Sequence, residues 1–279
     1  MMFFQPSTRT RLSYEKAALN LGATVLGFSD ISSTRSSSST GETLEDAARV
    51  FGELADAIVI RHYVSGAAHV AARCATVPVI NGGDGSNEHP TQALIDAWVL
   101  SRRLGDVRGA TVGIVGDPGA RALRSFALLM SSMGVKKLLF LLPPSARLHA
   151  GDQVTHCSIP ADVARALQLA GTGYEFRNDV RELLEEADGI EMMPIDIPPL
   201  EAAPDALGMA AGITPERFRI SSQKVFETAS NAVLLHPGPR RDELHPDTDD
   251  LPNSAYFEQV RQGVYVRMSV LNHVVGGST

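Results

Sequence analysis

The chain has two cysteines, Cys74 and Cys157, in 279 residues. That is too few for a disulfide framework, and their spacing is not that of metal ligands, so both read as ordinary thiols and no metal site is expected. No apolar run reaches the length of a membrane span. The opening residues Met1-Met2-Phe3-Phe4 lack the basic region and long apolar stretch of an export signal. Cytoplasmic residence without a membrane partner is the expectation. Positive charge is also in deficit: 25 Lys and Arg stand against 32 Asp and Glu, a formal net charge of −7. That balance argues against a general nucleic-acid binder. No internal repeat is evident, and a dinucleotide fingerprint is missing as well. Gly116-Asp117-Pro118-Gly119-Ala120-Arg121 follows a strand-like run, but its glycine spacing is wrong and no acidic residue follows the next strand. No organic cofactor is called for.

What remains is an ordinary globular composition, 44% apolar and 20% charged. It is long enough for one large or two medium domains with a good core. The pattern alternates. Strand-like runs at Ala23–Phe28, Ala57–Ile60 and Val77–Ile80 are interleaved with helical periodicity after Leu12, over Leu44–Leu54 and over Gly66–Cys74. A helix over Thr91–Leu104 leads into a second run. Its strands are expected at Ala110–Val115, Lys137–Leu142, Gly173–Phe176, Gly189–Met192 and Ala232–His236. Helices are expected at Arg121–Met133, Pro160–Leu169 and Asp179–Ala187, and a last one spans Val264–Val275 with Val266, Met268, Val270, Leu271 and Val274 on one face. Ile31–Thr40, with six serines and two threonines, reads as a loop, and Ser39 with Glu42 suits a capping box for the helix after it. Alternation of this kind implies an α/β fold of parallel sheets flanked by helices, with ligands outside the carboxyl ends of the strands.

The stretch that draws the eye is Phe3-Phe4-Gln5-Pro6-Ser7-Thr8-Arg9-Thr10-Arg11, a strand end running into a helix start that Ser7 or Thr8 can cap. Its first-turn N–H groups and arginines make an anion site, phosphate above all, or else a solvated basic helix start. Arg61 and the Asp84–Gln92 run also come just after strand-like segments, so the topology brings all three to one sheet edge.

The nonapeptide resembles the carbamoyl-phosphate motif of the aspartate and ornithine transcarbamoylase family. Further matches follow in the family's order: Gly41-Glu42-Thr43-Leu44-Glu45-Asp46, Ile60-Arg61-His62, Asn81 through Leu94, and His236-Pro237-Gly238-Pro239-Arg240. The run around His89 is more similar to the aspartate branch. The resemblance implies a two-domain transcarbamoylase fold, with residues 1–90 plus 263–279 binding carbamoyl phosphate and 91–262 binding the amino acid. It implies that Ser7, Thr8, Arg9 and Thr10 hold the phosphate, that Arg61 and His89 act on the carbonyl oxygen, and that Gln92 and the Pro237 carbonyl, beside Gly238, receive the carbamoyl NH₂. A neutral His89 donating N–H suits its arginine-rich surroundings. Arg121 matches a carboxylate-binding arginine. Transfer of the carbamoyl group to an amine, most simply L-aspartate in pyrimidine synthesis, is implied, as is a homotrimer or a multiple of it with shared sites.

Three features depart from the family. Thr40 stands where a loop lysine is expected from a neighbouring subunit; Ser36 can represent the loop serine, and Arg35 is the cation available to replace the lysine. Met192-Met193-Pro194-Ile195-Asp196 lacks the R-x-Q clamp for a second carboxylate, and Arg240 and Arg241 could compensate unless they pair with Asp242 or Glu243. Relatives also carry a helical segment ahead of the phenylalanines that open this chain. These departures leave two alternatives open, a different amine acceptor and a non-catalytic phosphate-binding or assembly homologue.

Overall fold

The computed structural model describes residues 1–29, 34, 41–143, 159–195 and 214–276. Arg35, Ser36, Ser39, Thr40, Cys157 and Asp196 lie outside the described residues. The chain divides into two compact units, Met1–Ile95 with Val260–Thr279, and Asp96–Gln259.

In the first unit, strands β1 (Met2–Phe3), β2 (Ile58–His62) and β3 (Val79–Asp84) form a parallel sheet in that order. Helices α1 (Thr8–Asn20), α2 (Leu44–Leu54) and α3 (Ala67–Cys74) connect them, and α4 (Pro90–Leu104) leaves β3. The helices form because their small and apolar residues recur at helical spacing. In α1, Thr10, Tyr14, Ala17 and Ala18 are buried together. All five residues of β2 are buried, as a strand covered on both faces requires. Phe3, Tyr14, Val59 and Ile80 make one cluster, against which Val270, Leu271 and Val274 of α9 (Tyr256–Gly276) pack.

The second unit holds a five-stranded parallel sheet. Strands β4 (Thr111–Val115), β5 (Lys137–Leu141), β6 (Gly173–Phe176), β7 (Gly189–Met192) and β8 (Val233–Leu235) lie in the order β6-β5-β4-β7-β8. Helices α5 (Arg121–Ser132), α6 (Ala161–Ala170), α7 (Val180–Glu186) and α8 (Ser222–Glu227) complete the unit. Chain order reverses between β4 and β7, so their carboxyl ends open a crevice of the kind where α/β sheets bind ligands. Asp179 and Glu182 cap α7 reciprocally, the sequence signature for that start.

Several expectations need correction. Ala23–Phe28 is not a strand: β1 is only two residues long and offers one register, so Phe28 meets Met2 in a single bridge. Gly27 takes φ +140°, and a Cβ there would strike the Met1 carbonyl. The cap of α2 is Thr43, whose hydroxyl accepts from Asp46 N–H at 3.1 Å, because a cap must directly precede the first helical residue. β3 runs on through Asn81-Gly82-Gly83-Asp84, residues that read as a loop, because an irregularity opposite Arg61 absorbs the glycines. α9 begins eight residues before Val264. Gly263 hides its continuity in the sequence, yet glycine is needed there, since a Cβ would lie 3.1 Å from Ile95 Cδ1. Helix α8 is only six residues long, too short for a helical period to stand out in the sequence. Among the described residues no helix is long and apolar enough to cross a membrane.

Candidate active site

The site in the first unit starts from the parallel arrangement of β1, β2 and β3, which sends three segments off one edge. After β1, the chain passes through Gln5-Pro6 into α1. Ser7 occupies the N-cap position in extended conformation, but its hydroxyl makes no capping bond. The first-turn N–H groups, which have no intrahelical acceptors, are therefore not closed by their own cap. Thr8 and Arg9 are exposed and Thr10 is buried. Arg11 forms an i,i+4 pair with Glu15 at 2.9 Å.

Arg61, one residue from the end of β2, is buried. Its backbone carbonyl accepts from Phe4 N–H at 2.8 Å, tying the exit of β1 to β2. Its Nη1 donates to the Gly82 carbonyl and to His89 Nε2, both at 3.0 Å. A guanidinium only donates, so Nε2 of His89 is the acceptor, and in the neutral ring the hydrogen lies on Nδ1. Of the two imidazole nitrogens, Nδ1 is thus the one able to donate to a ligand. His89 directly precedes α4, and its carbonyl accepts from the N–H groups of Gln92 at 3.0 Å and Ala93 at 3.2 Å. The helix start thus holds the imidazole, and Gln92 lies half-buried in the same turn.

Neighbouring His62 has a different role. Its Nδ1 accepts from Val64 N–H at 2.9 Å and its ring lies 4.8 Å from that of Phe4. Burial pushes its pKa down, opposed by the charge of Asp84. It is a packed, neutral histidine. The turn after β3 is equally constrained. Gly85 has φ +50°, and a Cβ there would lie 2.5 Å from Ser65 N. Gly85→Ala should cost about 2 kcal/mol or more in denaturant unfolding, since both strain and overlap oppose it. A loss under about 0.5 kcal/mol, the range of ordinary surface substitutions, would show that the turn yields.

In the second unit, the residues at the reversal of strand order come together by topology. The β4 carboxyl end continues into Gly116 at φ +130°, where a Cβ would lie 2.8 Å from Leu123 Cδ1. Asp117 then turns the loop by accepting from Gly119 N–H at 2.8 Å, and Arg121 opens α5. After β7, Met193 N–H donates to the Val115 carbonyl at 2.9 Å, so the two chain exits are adjacent. Met193, Pro194 and Ile195 bring no cation there.

Arg240 does not supply one either. It grips Asp249 with both terminal nitrogens, Nη2 to Oδ2 at 2.6 Å, and lies 4.7 Å over the Tyr256 ring. The expected partners are otherwise engaged: Asp242 binds Thr214 and Arg219, and Glu243 binds His236. His236 holds the turn that follows β8. Its Nδ1 accepts from Gly238 N–H and its Nε2 donates to Glu243, both at 2.8 Å, with Pro237 between. Burial works against the Glu243 charge, yet hydrogen bonds from His236 and Arg241 N–H prevail and hold its pKa below the usual range. The roles of Asp84, His236, Glu243 and Gln259 escape a reading by motif, because each acts on protein atoms rather than on a ligand. Among the described residues no cluster suited to a metal ion is present.

A helix start not closed by its own cap, an arginine locked to an imidazole on the same sheet edge and, within the second unit, a switch-point crevice define an α/β protein equipped to hold a small anion and polarise a group attached to it. Models of two family domains match this chain in succession: the carbamoyl-phosphate-binding domain of aspartate/ornithine carbamoyltransferases over residues 1–102, and the Asp/Orn-binding domain over 108–274. The chain belongs to the aspartate/ornithine carbamoyltransferase family, and its two parallel sheets are the transcarbamoylase fold. It is 36% identical over 287 residues to the aspartate carbamoyltransferase catalytic subunit of Methanopyrus kandleri, covering 99% of this chain and 84% of that protein. Aspartate carbamoyltransferase 3 of Pisum sativum is 35% identical, with 99% and 67% covered. Among solved structures, the catalytic subunit of M. jannaschii aspartate transcarbamoylase superposes with TM-score 0.81 at 32% identity, covering 99% and 84%. The Trypanosoma cruzi enzyme with carbamoyl phosphate and aspartate gives 0.80 at 29%, covering 97% and 80%.

Proposed function

We propose that this protein is a carbamoyltransferase that moves the carbamoyl group of carbamoyl phosphate to L-aspartate, giving N-carbamoyl-L-aspartate for pyrimidine synthesis. The observation that carries the reading is the Arg61–His89 pair at the carboxyl edge of the sheet from which α1 also departs. Ser7, Thr8, Arg9 and Thr10 hold the phosphate, and Arg61 with the Nδ1–H of His89 faces the carbonyl oxygen. The free amine attacks the carbonyl carbon, forming the C–N bond while negative charge gathers on that oxygen. The bond from carbon to the bridging oxygen then breaks. Phosphate departs with the electron pair, and the nitrogen loses its extra proton. Preorganised donors of this kind contribute about 10²–10³ each in rate. Gln92 and the Pro237 carbonyl take the carbamoyl NH₂, and Arg121 takes a carboxylate of the acceptor.

A homotrimer with shared sites, in the cytoplasm, belongs to the same proposal; the likeness of the Arg35–Thr40 segment to a loop that serves a neighbouring subunit supports the assembly. Arg35 then replaces the missing lysine at the departing phosphate. Arg35→Ala should lower turnover by about 10²–10³ while carbamoyl phosphate still binds; unchanged turnover would remove Arg35 from the mechanism.

One observation favours a second reading. Met193-Pro194-Ile195 carries no cation and Arg240 is committed to Asp249, so an acceptor with a single carboxylate would fit Arg121 alone. An amine panel with labelled carbamoyl phosphate decides. We expect turnover with aspartate and none with ornithine, and a melting temperature raised more by N-phosphonacetyl-aspartate than by phosphate. Turnover with another amine alone, or with none, would overturn the assignment.

A further inference from the structure

The buried charge closest to the Arg61–His89 pair in the sequence, Asp84, has no assigned part in the chemistry. The residue is 1% exposed, and its carboxylate accepts hydrogen bonds from donors on every side. Oδ2 accepts from Gly66 N–H at 2.7 Å, at the start of α3, and from Asn87 Nδ2 at 3.2 Å. Oδ1 accepts from Asn81 Nδ2 at 2.7 Å, from Glu88 N–H at 3.3 Å and more weakly from Asn87 at 3.4 Å. The backbone closes the same loop, with Asp84 N–H donating to the Glu88 carbonyl at 3.1 Å and Asn87 N–H to the Asp84 carbonyl at 2.9 Å. Gly85 N–H reaches across to the His62 carbonyl at 3.0 Å. The residue immediately after this closed turn is His89, held from its other side by the first turn of α4.

We propose that Asp84 is a positioning residue for His89: its carboxylate cinches the Asp84–Glu88 turn and so sets where the imidazole meets Arg61. The inference rests on the reading that His89 acts on the carbonyl oxygen. A carboxylate is required because only two acceptor oxygens satisfy this ring of donors. An asparagine presents one oxygen and turns an NH₂ toward the remaining N–H groups, which forces the turn open. Displacing a catalytic group by about 1 Å costs on the order of 10² in rate.

The test is a double-mutant cycle in the full-length protein, with phosphate affinity measured in parallel. Asp84→Asn should lower kcat about 10²-fold, leave inorganic phosphate binding as in the parent, and cost nothing further when His89 is already alanine, since the two act as one unit. Asn87→Ala, which removes a single donor, should show the same pattern at smaller amplitude and serves if Asp84→Asn does not fold. If either variant loses the same factor with and without His89, or if both retain parental kcat, Asp84 is not a positioning residue. Parental kcat in His89→Ala alone would overturn the reading of His89 and this inference with it. A drop in His89→Ala without one in the turn variants defeats only the inference.

Discussion

Arg61→Met should reduce kcat by about 10²–10³ while phosphate binding survives. The methionine keeps the apolar stem but removes the Nη1 group that donates to both the Gly82 carbonyl and His89 Nε2. Two consequences follow separately. The carbonyl oxygen of the substrate loses a preorganised cation, which lowers kcat. Two buried acceptors also lose their donor, which costs stability at about 1–3 kcal/mol for each group left unsatisfied. Arg61→Lys should not restore the rate, because an ammonium that takes the place of Nη1 between the two protein acceptors leaves no second, coplanar nitrogen to face a ligand. Steady-state kinetics and denaturant unfolding of the same variants separate the two effects. A lysine variant with parental kcat would mean that positive charge alone, and not the guanidinium fork, matters at this position.

Glu191→Met should stabilise the protein near neutral pH. Glu191 lies in the middle of β7, paired in register with Ile114 and Leu235, and is 1% exposed. Neither carboxyl oxygen has a hydrogen-bond partner. Burial pushes its pKa well above the usual carboxylate range, and the charge of Asp96 pushes in the same direction. Asp96 itself is engaged with Gln259, whose amide also receives His236 N–H. Because the folded state holds its proton at pH values where the unfolded chain has released it, stability is full below about pH 4.5, the unfolded value, and is lost as pH rises toward the folded pKa. Methionine removes that slope. The variant should gain about 1–3 kcal/mol at pH 7–8, or about 2–4 °C in melting temperature per kcal/mol, and the gap should shrink toward pH 5. Parallel stability curves for parent and variant would show that Glu191 does not take up a proton on folding.

Much of this was open to reading in the chain itself, for a physical reason that differs by element. Strands β4 and β5 are largely apolar runs because both faces of a parallel sheet are covered, and such runs declare themselves. The capping pair Asp179 and Glu182 is a local code. The Ser7–Arg11, Arg61 and Asp84–Gln92 segments could be assigned to one edge because strand ends in an α/β sheet converge. Other features were hidden because nothing local encodes them. The last four residues of β3, Asn81-Gly82-Gly83-Asp84, look like a glycine loop until Arg61 on the neighbouring strand claims the Gly82 carbonyl. Ala23–Phe28 has strand composition but only two residues of β1 to pair with. Arg240 could be expected to serve a ligand until Asp249 and the Tyr256 ring, distant in role if not in sequence, take it up.

The amino-acid sequence by itself determined the alternation of strands and helices, the start of α1 after Ser7 and the family, since these depend on periodicity and contiguous motifs. Only the tertiary structure decided which hydrogen of His89 is offered, which arginine is spent on an ion pair and which buried acid keeps its proton. Those outcomes depend on donors and charges brought within about 3 Å of one another by packing, and no spacing along the chain specifies such a distance.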